Sequence, residues 1–158
     1  MVRKNPQRGF TLVEVLIVVT LLGILASVVI ATFKPATQDA RKASLSETLG
    51  TLRAQIQLYT LQHDDQTPDL NGVNWDPLVT QTVDASGAQR GPYLPSVPRN
   101  SLNNNFAISV VAADPAFGSP VADAGIGFVY NPNNGFIWAT NTAGNKIYNE
   151  GDPQDPNN

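Results

Sequence analysis

The sequence predicts an α+β fold in which a long N-terminal helix, transmembrane in its first half, packs on a small C-terminal antiparallel β-sheet. Three observations support this prediction. Residues 9–33 form a nearly unbroken apolar run, and residues 34–66 carry apolar side chains at helical spacing. Short aromatic segments separated by Asn, Pro and Gly follow in the last third of the chain. A helical period followed by strand-like segments indicates a helix that lies against a sheet.

The apolar run, GFTLVEVLIVVTLLGILASVVIATF, is long enough to cross a membrane. About 20 apolar residues, at a rise of 1.5 Å each, span a hydrocarbon core of about 30 Å. A single segment can satisfy its backbone in lipid only as a helix. The polar residues Thr20 and Ser27 fit this interpretation, because their hydroxyls can bond the helix's own carbonyls. We therefore predict a transmembrane helix over residues 10–33, after a separate segment over residues 1–9.

Basic residues set the predicted orientation of this span. Arg3, Lys4 and Arg8 precede it without an accompanying acid. Lys and Arg next to a span favour the cytoplasmic side of the membrane. The N-terminus is therefore predicted to be cytoplasmic, and the rest of the chain is predicted to lie on the other side. Removing residues 1–9 would change the net formal charge from −3 to −6.

Glu14 is the one acidic residue within the apolar run. An ionisable group in a membrane costs roughly 2.5 to 3.5 kcal/mol on insertion scales, so it usually has a partner. Gly9 stands at the N-terminal start of the run, whereas a secretory signal peptide has its small-residue cleavage site after the apolar segment. The pattern therefore differs from that of a signal peptide. A plain signal anchor with an incidental acid is the alternative.

The segment Gly9–Glu14, GFTLVE, resembles the N-terminal signature of type IV pilins and of the pseudopilins of type II secretion systems. The resemblance implies that a prepilin peptidase cuts between Gly9 and Phe10, which removes residues 1–9 as a leader, and then methylates the new amine of Phe10. It also implies that Glu14 pairs with the N-terminal amine of a neighbouring subunit during assembly. Because Phe10 and Glu14 are four positions apart, the residues also allow a pair within one subunit.

Residues 34–66 are predicted to continue the helix, with a kink or a local loosening at Pro35 rather than a stop. Five apolar residues recur at spacings of three and four: Leu45, Leu49, Leu52, Ile56 and Tyr59. This stripe is predicted to pack against the sheet of the same subunit, and coiled-coil pairing is the alternative. The helix is expected to end near His63–Gln66, before Thr67-Pro68.

Residues 67–149 are predicted to form a globular domain with a pilin-like fold, which the orientation of the span places in the periplasm. Residues 74–78 are expected to start a short helix, with Asn74 or Trp75 near its N-cap, that extends to about Val83; a small-residue turn follows over residues 85–88. The segment Gly91–Pro98 resembles the Gly-Pro-Tyr-Leu segment of major pseudopilins. The resemblance implies that its Tyr and Leu fill apolar gaps between helix and sheet.

The strands are predicted near the C-terminus. Residues 106–112, FAISVVA, favour a strand, and two aromatic strands, residues 127–130 and 135–140, flank the turn Asn131–Asn134 as a hairpin. The tail, residues 150–158, is polar and is predicted to be disordered.

Composition excludes several classes of function. The chain of 158 residues has no Cys and one His, so disulfides are excluded and a zinc site of the usual kind is nearly excluded. From Asp64 onward ten acids stand against three basic residues, and this acidic charge argues against nucleic-acid binding. No catalytic motif is present; His63 is predicted to be solvated or to cap the helix end. The chain is therefore not predicted to be an enzyme.

Calcium is the cofactor that the resemblance raises, because major pseudopilins have a calcium-binding C-terminal loop. Oxygen donors of suitable hardness are Asp114, Asp123, Glu150 and Asp152, but they have no fixed spacing. This chain also has Asn100–Asn103, NSLN, where the family often has an Asp-Pro-Trp-Gly type sequence. The expectation is therefore that there is no cofactor, with calcium as the alternative.

These features together predict a structural subunit of a type II secretion pseudopilus. The resemblance implies single-pass storage in the inner membrane and assembly into a periplasmic filament with copies of itself and other pseudopilins. It also implies processing by the prepilin peptidase and contact with an inner-membrane assembly platform. The alternatives are a type IV pilus subunit for adhesion, motility or DNA uptake, and a membrane-anchored binding module or enzyme.

Overall fold

The computed structural model describes residues 9–152 and residue 155, apart from the side chains of residues 30–36. Residues 1–8 of the predicted leader therefore lie outside the described residues. The same is true of residues 153, 154 and 156–158 of the predicted tail.

Helix α1, Leu12–Gln62, contributes to two compact units, Met1–Gln38 and Asp39–Asn158. The helix continues past Pro35 without a stop, as the sequence predicted. A single helix therefore supplies both the apolar segment and the first element of the globular unit.

The first unit exposes an apolar helix. Residues 12–29 are all exposed, and Leu12–Val29 is long and apolar enough to cross a membrane. The hydroxyl of Thr20 donates to two carbonyls of the preceding turn, at 2.8 and 3.0 Å. The hydroxyl of Ser27 donates to one such carbonyl at 2.7 Å. These polar side chains are thus satisfied within the helix, as a lipid environment requires.

In the second unit the predicted stripe of α1 lies in the core. Its first four members are at most 1% exposed and its fifth is partly buried: Leu45, Leu49, Leu52, Ile56 and Tyr59. The same core contains Phe128, Tyr130 and Ile137 from the strands described below. The prediction that the stripe packs against the sheet of its own subunit is therefore confirmed.

The end of α1 at Gln62 lies one residue before the predicted region. Asp64 and Asp65 follow with φ of 52° and 61°. This left-handed conformation is incompatible with a continuing α-helix, and Asp tolerates it better than most residues. Two consecutive left-handed residues therefore turn the chain away from the helix axis.

A short helix and a small hairpin follow. Helix α2, Asp76–Val79, begins where predicted but ends before Val83. The reason is that strand β1, Thr82–Val83, pairs antiparallel with strand β2, Gln89–Arg90. This hairpin was not predicted from the sequence, although the small-residue turn that joins its two strands was.

Asp84 organises that turn. Its Oδ1 accepts hydrogen bonds from the hydroxyl and amide of Ser86, at 2.6 and 2.9 Å, and from the amide of Ala88, at 2.9 Å. Its Oδ2 accepts a bond from Arg90 Nε at 2.8 Å. The hydrogen bonds from Ser86 and Ala88 are the main reason that the pKa of the Asp84 carboxyl lies well below its usual range, and Arg90 adds to the effect.

The segment after this hairpin fills the core as predicted. Tyr93 and Leu94 are buried in the same core as the α1 stripe. Both of their amides donate to the carbonyl of Leu78 at 2.8 Å, and the Tyr93 hydroxyl donates to Gln62 at 2.9 Å. The segment therefore connects α2 to the end of α1.

The main sheet has three strands: β3, Ile108–Val110; β4, Phe128–Asn131; and β5, Phe136–Ala139. Strands β4 and β5 form the predicted antiparallel hairpin, with Val129 opposite Trp138. Its turn closes with the amide of Gly135 donating to the carbonyl of Asn131 at 2.9 Å. Gly135 has φ 72°, which glycine adopts without the steric cost that a Cβ would bring.

One pairing differs from the predicted antiparallel sheet, because β3 lies parallel to β4. Residues 111–127 connect the two strands, and this connection is long enough for the chain to cross over and re-enter in the same direction. The sheet is therefore mixed.

The charge state of Asp84 should make stability depend on pH. Because its pKa is lower in the folded than in the unfolded chain, its ionisation stabilises the fold above about pH 4, and this contribution is lost as the pH falls further. Asp84→Asn should therefore lower the urea midpoint of unfolding at about pH 7. The difference from the parent chain should shrink at about pH 3. Asp123→Asn, at an exposed position, is the control. A difference that stays constant over this range would contradict the assignment.

Candidate processing and assembly site

The predicted cleavage position lies outside the helix. Gly9, Phe10 and Thr11 have no regular secondary structure, and α1 begins at Leu12. The side chain of Phe10 is 84% exposed. The bond between Gly9 and Phe10 is therefore in irregular backbone directly before the apolar helix.

Thr11 and Glu14 cap the start of α1 reciprocally. The amide of Glu14 donates to the Thr11 hydroxyl at 3.2 Å, and the amide of Thr11 donates to Glu14 Oε2 at a longer 3.5 Å. Thr11 is the N-cap residue and Glu14 is the third residue of the helix, which is the arrangement of a capping box. This role was not predicted from the sequence, although Thr-x-x-Glu spacing before an apolar run is the known signal of a capping box.

The capping box bears on both predicted pairings of Glu14. Its carboxylate reaches back to the amide of Thr11, the residue next to Phe10. It also lies in the first turn of α1, where the helix dipole favours negative charge. A cut before Phe10 would therefore create an amine one residue away from a group that Glu14 already contacts, which favours a pair within one subunit.

Two of the four calcium candidates, Asp114 and Glu150, already use carboxylate oxygens in hydrogen bonds within the chain. Asp114 Oδ1 accepts hydrogen bonds from the side-chain amides of Asn131 and Asn134, at 2.7 and 2.8 Å. Asp123 is exposed, and the amide of Asp152 donates to the side chain of Asn149 at 3.1 Å. Within the part of the chain that the structure describes, no three His, Asp or Glu side chains form a group that could hold a metal ion.

Glu150, the fourth candidate, pairs with Arg53. Its two carboxylate oxygens accept from Arg53 Nη2 at 2.6 Å and from Nη1 at 2.8 Å. The Nε and Nη2 groups of Arg53 also donate to the carbonyl of Ile137, at 3.2 and 2.9 Å. We call this set of contacts among Arg53, Ile137 and Glu150 the Arg53 bridge. It holds Glu150, the first residue of the predicted disordered tail, against α1.

The segment that departs from the family sequence is a loop held by asparagine side chains. Asn100 is fully buried. Its Nδ2 donates to the carbonyls of Gly127 and Thr140, at 2.9 and 2.8 Å, and its Oδ1 accepts from the amide of Leu102 at 2.8 Å. Asn103 Nδ2 likewise donates to the Thr140 hydroxyl at 2.9 Å. These amides connect the loop to the start of β4 and the end of β5.

His63 is buried rather than solvated, at 8% exposure. Its Nδ1 lies 3.0 Å from the carbonyl of Tyr59, and its Nε2 lies 3.0 Å from the hydroxyl of Thr82. The imidazole also stacks on the Tyr59 ring, with centroids 3.9 Å apart. Both nitrogens are therefore in structural contacts between the end of α1 and β1. Of the two roles expected from the sequence, the one at the helix end is the role that the contacts support.

The site consists of an irregular Gly-Phe junction followed by an exposed apolar helix with an acid in its first turn, which is the arrangement that resembles pilin-like proteins. Residues 4–30 match the family described as the prokaryotic N-terminal methylation motif. The N-terminal segment is therefore a prepilin-type motif, and the resemblance predicted from the sequence is confirmed.

Two relatives support the same conclusion. The ComG operon protein 3 homolog of Bacillus licheniformis is 32% identical over 63 residues, which are 40% of this chain and 65% of that protein. The type II secretion system core protein G of Dickeya chrysanthemi is 35% identical over 60 residues, which are 38% of this chain and 39% of that protein. The chain thus spans less than two thirds of either relative. No solved structure matches it significantly.

The capping box should be detectable in the helix start. Thr11→Ala removes an N-cap contact worth about 1 kcal/mol. Hydrogen exchange at the Glu14 amide should therefore become roughly fivefold faster in micelles, as measured by NMR. Thr11→Ser should restore the parent rate, and Thr20→Ala, which removes a hydroxyl in the middle of the span, should leave it unchanged. An unchanged rate in Thr11→Ala would contradict the cap.

Removing the Asn100 side chain should lower the free energy of unfolding more than removing the hydroxyl of Ser101. Asn100→Ala removes two side-chain hydrogen bonds to buried carbonyls and the acceptor of the Leu102 amide, so the free energy of unfolding should fall by about 2 kcal/mol. Ser101→Ala, which loses one exposed bond to a carbonyl, should change it by about 0.5 kcal/mol or less. Chemical denaturation of both variants measures the difference. Equal losses would show that the buried amide has no special role.

Proposed function

We propose that this chain is a structural subunit of a type II secretion pseudopilus. The observation that carries the proposal is the prepilin-type motif, in which Gly9-Phe10 precedes an apolar helix with Glu14 in its first turn. The similarity to a type II secretion core protein G supports the choice of apparatus. In this proposal the chain performs no catalysis, and its folded state uses no cofactor.

Processing is the first step of the proposed function. The prepilin peptidase cuts between Gly9 and Phe10 and methylates the amine of Phe10. The irregular backbone at this junction supports the proposal, because a protease needs access to a bond that no helix encloses. Before assembly the subunit is stored in the inner membrane, with its N-terminus cytoplasmic and its globular unit periplasmic.

Assembly is the second step. Residues 12–29 are exposed apolar surface, which lipid covers in the stored subunit. In the filament the helices of neighbouring copies and of other pseudopilins take the place of lipid, after extraction by the inner-membrane assembly platform. Glu14 must then be neutralised among apolar helices, and the amine of Phe10, its own or a neighbour's, is the partner of opposite charge. The growing filament drives protein export.

A type IV pilus subunit is the second candidate, because the part of the chain that the comparisons match does not separate it from a pseudopilin. The matched segment and both similar regions cover 40% of this chain or less. The prepilin-type motif is the part that the resemblance assigns to pilins and pseudopilins alike. Deleting the gene and comparing the secreted proteins with the surface filaments distinguishes the two. Loss of secretion supports the pseudopilus, and loss of filaments with normal secretion supports the pilus.

The assembly role of Glu14 is tested by substitution. Glu14→Ala should insert into the membrane as the parent chain does, because removing a charge lowers the cost of insertion. Filament formation and secretion should nevertheless be abolished, because the amine then has no partner. Glu47→Ala, which removes an exposed acid from the same helix, is the matched control.

Intact mass shows whether the processing step occurs. The mature protein should begin at Phe10 and carry one added methyl group. Normal filaments from Glu14→Ala would overturn the assembly role. A membrane protein that keeps residues 1–9 would overturn the whole proposal and favour an uncleaved anchor.

A further inference from the structure

The carboxylates of the predicted calcium candidates do not form a set of ligands that fits a calcium ion. Calcium takes six to eight oxygen ligands, commonly bidentate carboxylates and backbone carbonyls. Here both carboxylate oxygens of Glu150 accept hydrogen bonds from Arg53, and Asp114 Oδ1 accepts hydrogen bonds from two side-chain amides. The candidate carboxylates therefore do not converge on one position among the described residues.

We propose that the Arg53 bridge holds the C-terminal segment in place of a divalent cation, so that this segment keeps its folded position without calcium. The guanidinium binds one carboxylate through both oxygens and one backbone carbonyl, Ile137 O. These are the ligand types that a calcium ion would collect, and a planar guanidinium presents its donors in a fixed geometry that matches a carboxylate.

The contacts of Arg53 connect three parts of the globular unit. Arg53 lies on α1, Ile137 lies on β5, and Glu150 lies beyond the last strand. The side chains of Arg53 and Glu150 are 31% and 23% exposed, so the pair is shielded in part from solvent. Next to it the amide of Tyr148 donates to the carbonyl of Ala139 at 2.9 Å, which attaches the same segment to the end of β5.

The position of Arg53 on α1 makes the bridge possible. Arg53 directly follows Leu52, a member of the buried stripe, and lies three residues before Ile56, so its stem starts at the edge of the core. Packing of the stripe fixes the stem beside β5 and thereby limits the side-chain entropy that the ion pair costs. A lysine would offer one ammonium and could not reproduce the paired contact.

Calcium itself is the first probe. The full-length chain in detergent micelles should unfold at the same temperature in about 5 mM calcium and in excess EGTA, since a ligand stabilises only a state that binds it. Hydrogen exchange at the Tyr148 amide should also be equal in the two conditions. A higher unfolding temperature in calcium, or slower exchange at Tyr148, would overturn the proposal.

Substitution of the bridge is the second probe. Arg53→Ala should accelerate exchange at the Tyr148 amide roughly tenfold in EGTA, and Arg53→Lys should recover only part of the protection. Glu150→Gln should act in the same direction. The double variant should be no faster than Arg53→Ala alone, because both changes remove one interaction.

Arg99→Ala is the control, because Arg99 also donates to a carbonyl, that of Asn104, but does not contact the C-terminal segment in the described contacts. Exchange at Tyr148 should be unchanged in this variant. Additive effects of Arg53→Ala and Glu150→Gln, or an effect of Arg99→Ala as large as that of Arg53→Ala, would show that the bridge does not hold the segment.

Discussion

The main constraint on this protein is the exposed apolar surface of the first part of α1. Residues 12–29 are exposed along their whole length, and almost all of them are apolar. In water this surface would be strongly unfavourable, at roughly 25 cal/mol per Å² of apolar area. Something outside the chain must therefore cover it, and lipid and other apolar helices are the two environments that can. In the proposed function, lipid covers this surface while the subunit is in the membrane, and neighbouring helices cover it in the filament.

In the globular unit, α1 supplies the apolar face against which the sheet packs. There the small sheet has only three strands, and its strands β4 and β5 place Phe128 and Ile137 against the α1 stripe. A two-stranded hairpin alone is marginal, and a packed helix is what stabilises it. The buried asparagines and the Arg53 bridge then attach the loops around this core. The globular unit therefore folds around the second part of α1.

Much of this could be predicted from the sequence, and the rest failed for identifiable reasons. The apolar run, the α1 stripe and the β4–β5 hairpin are periodic or bounded by turn residues, so local pattern determines them. The β1–β2 hairpin was missed because each strand has two residues, too few for any alternation. The parallel pairing of β3 and the Arg53 bridge join residues far apart in sequence, and spacing carries no information about such contacts. The capping box at Thr11 was visible as a local pattern and was overlooked beside the stronger prepilin-type signature.

The capping box also changes how the electrostatics of assembly should be understood. Glu14 already accepts a backbone amide and lies at the favourable end of the helix dipole, so part of its charge is compensated before any second chain arrives. In the proposed function, cleavage creates an amine on Phe10, the residue next to Thr11. This amine can neutralise the Glu14 carboxylate of the same subunit. Replacing the subunit's own amine by that of a neighbouring subunit changes the electrostatic energy little, because both are pairs of the Glu14 carboxylate with an N-terminal amine. The free energy of assembly should therefore come mainly from packing of the apolar helices.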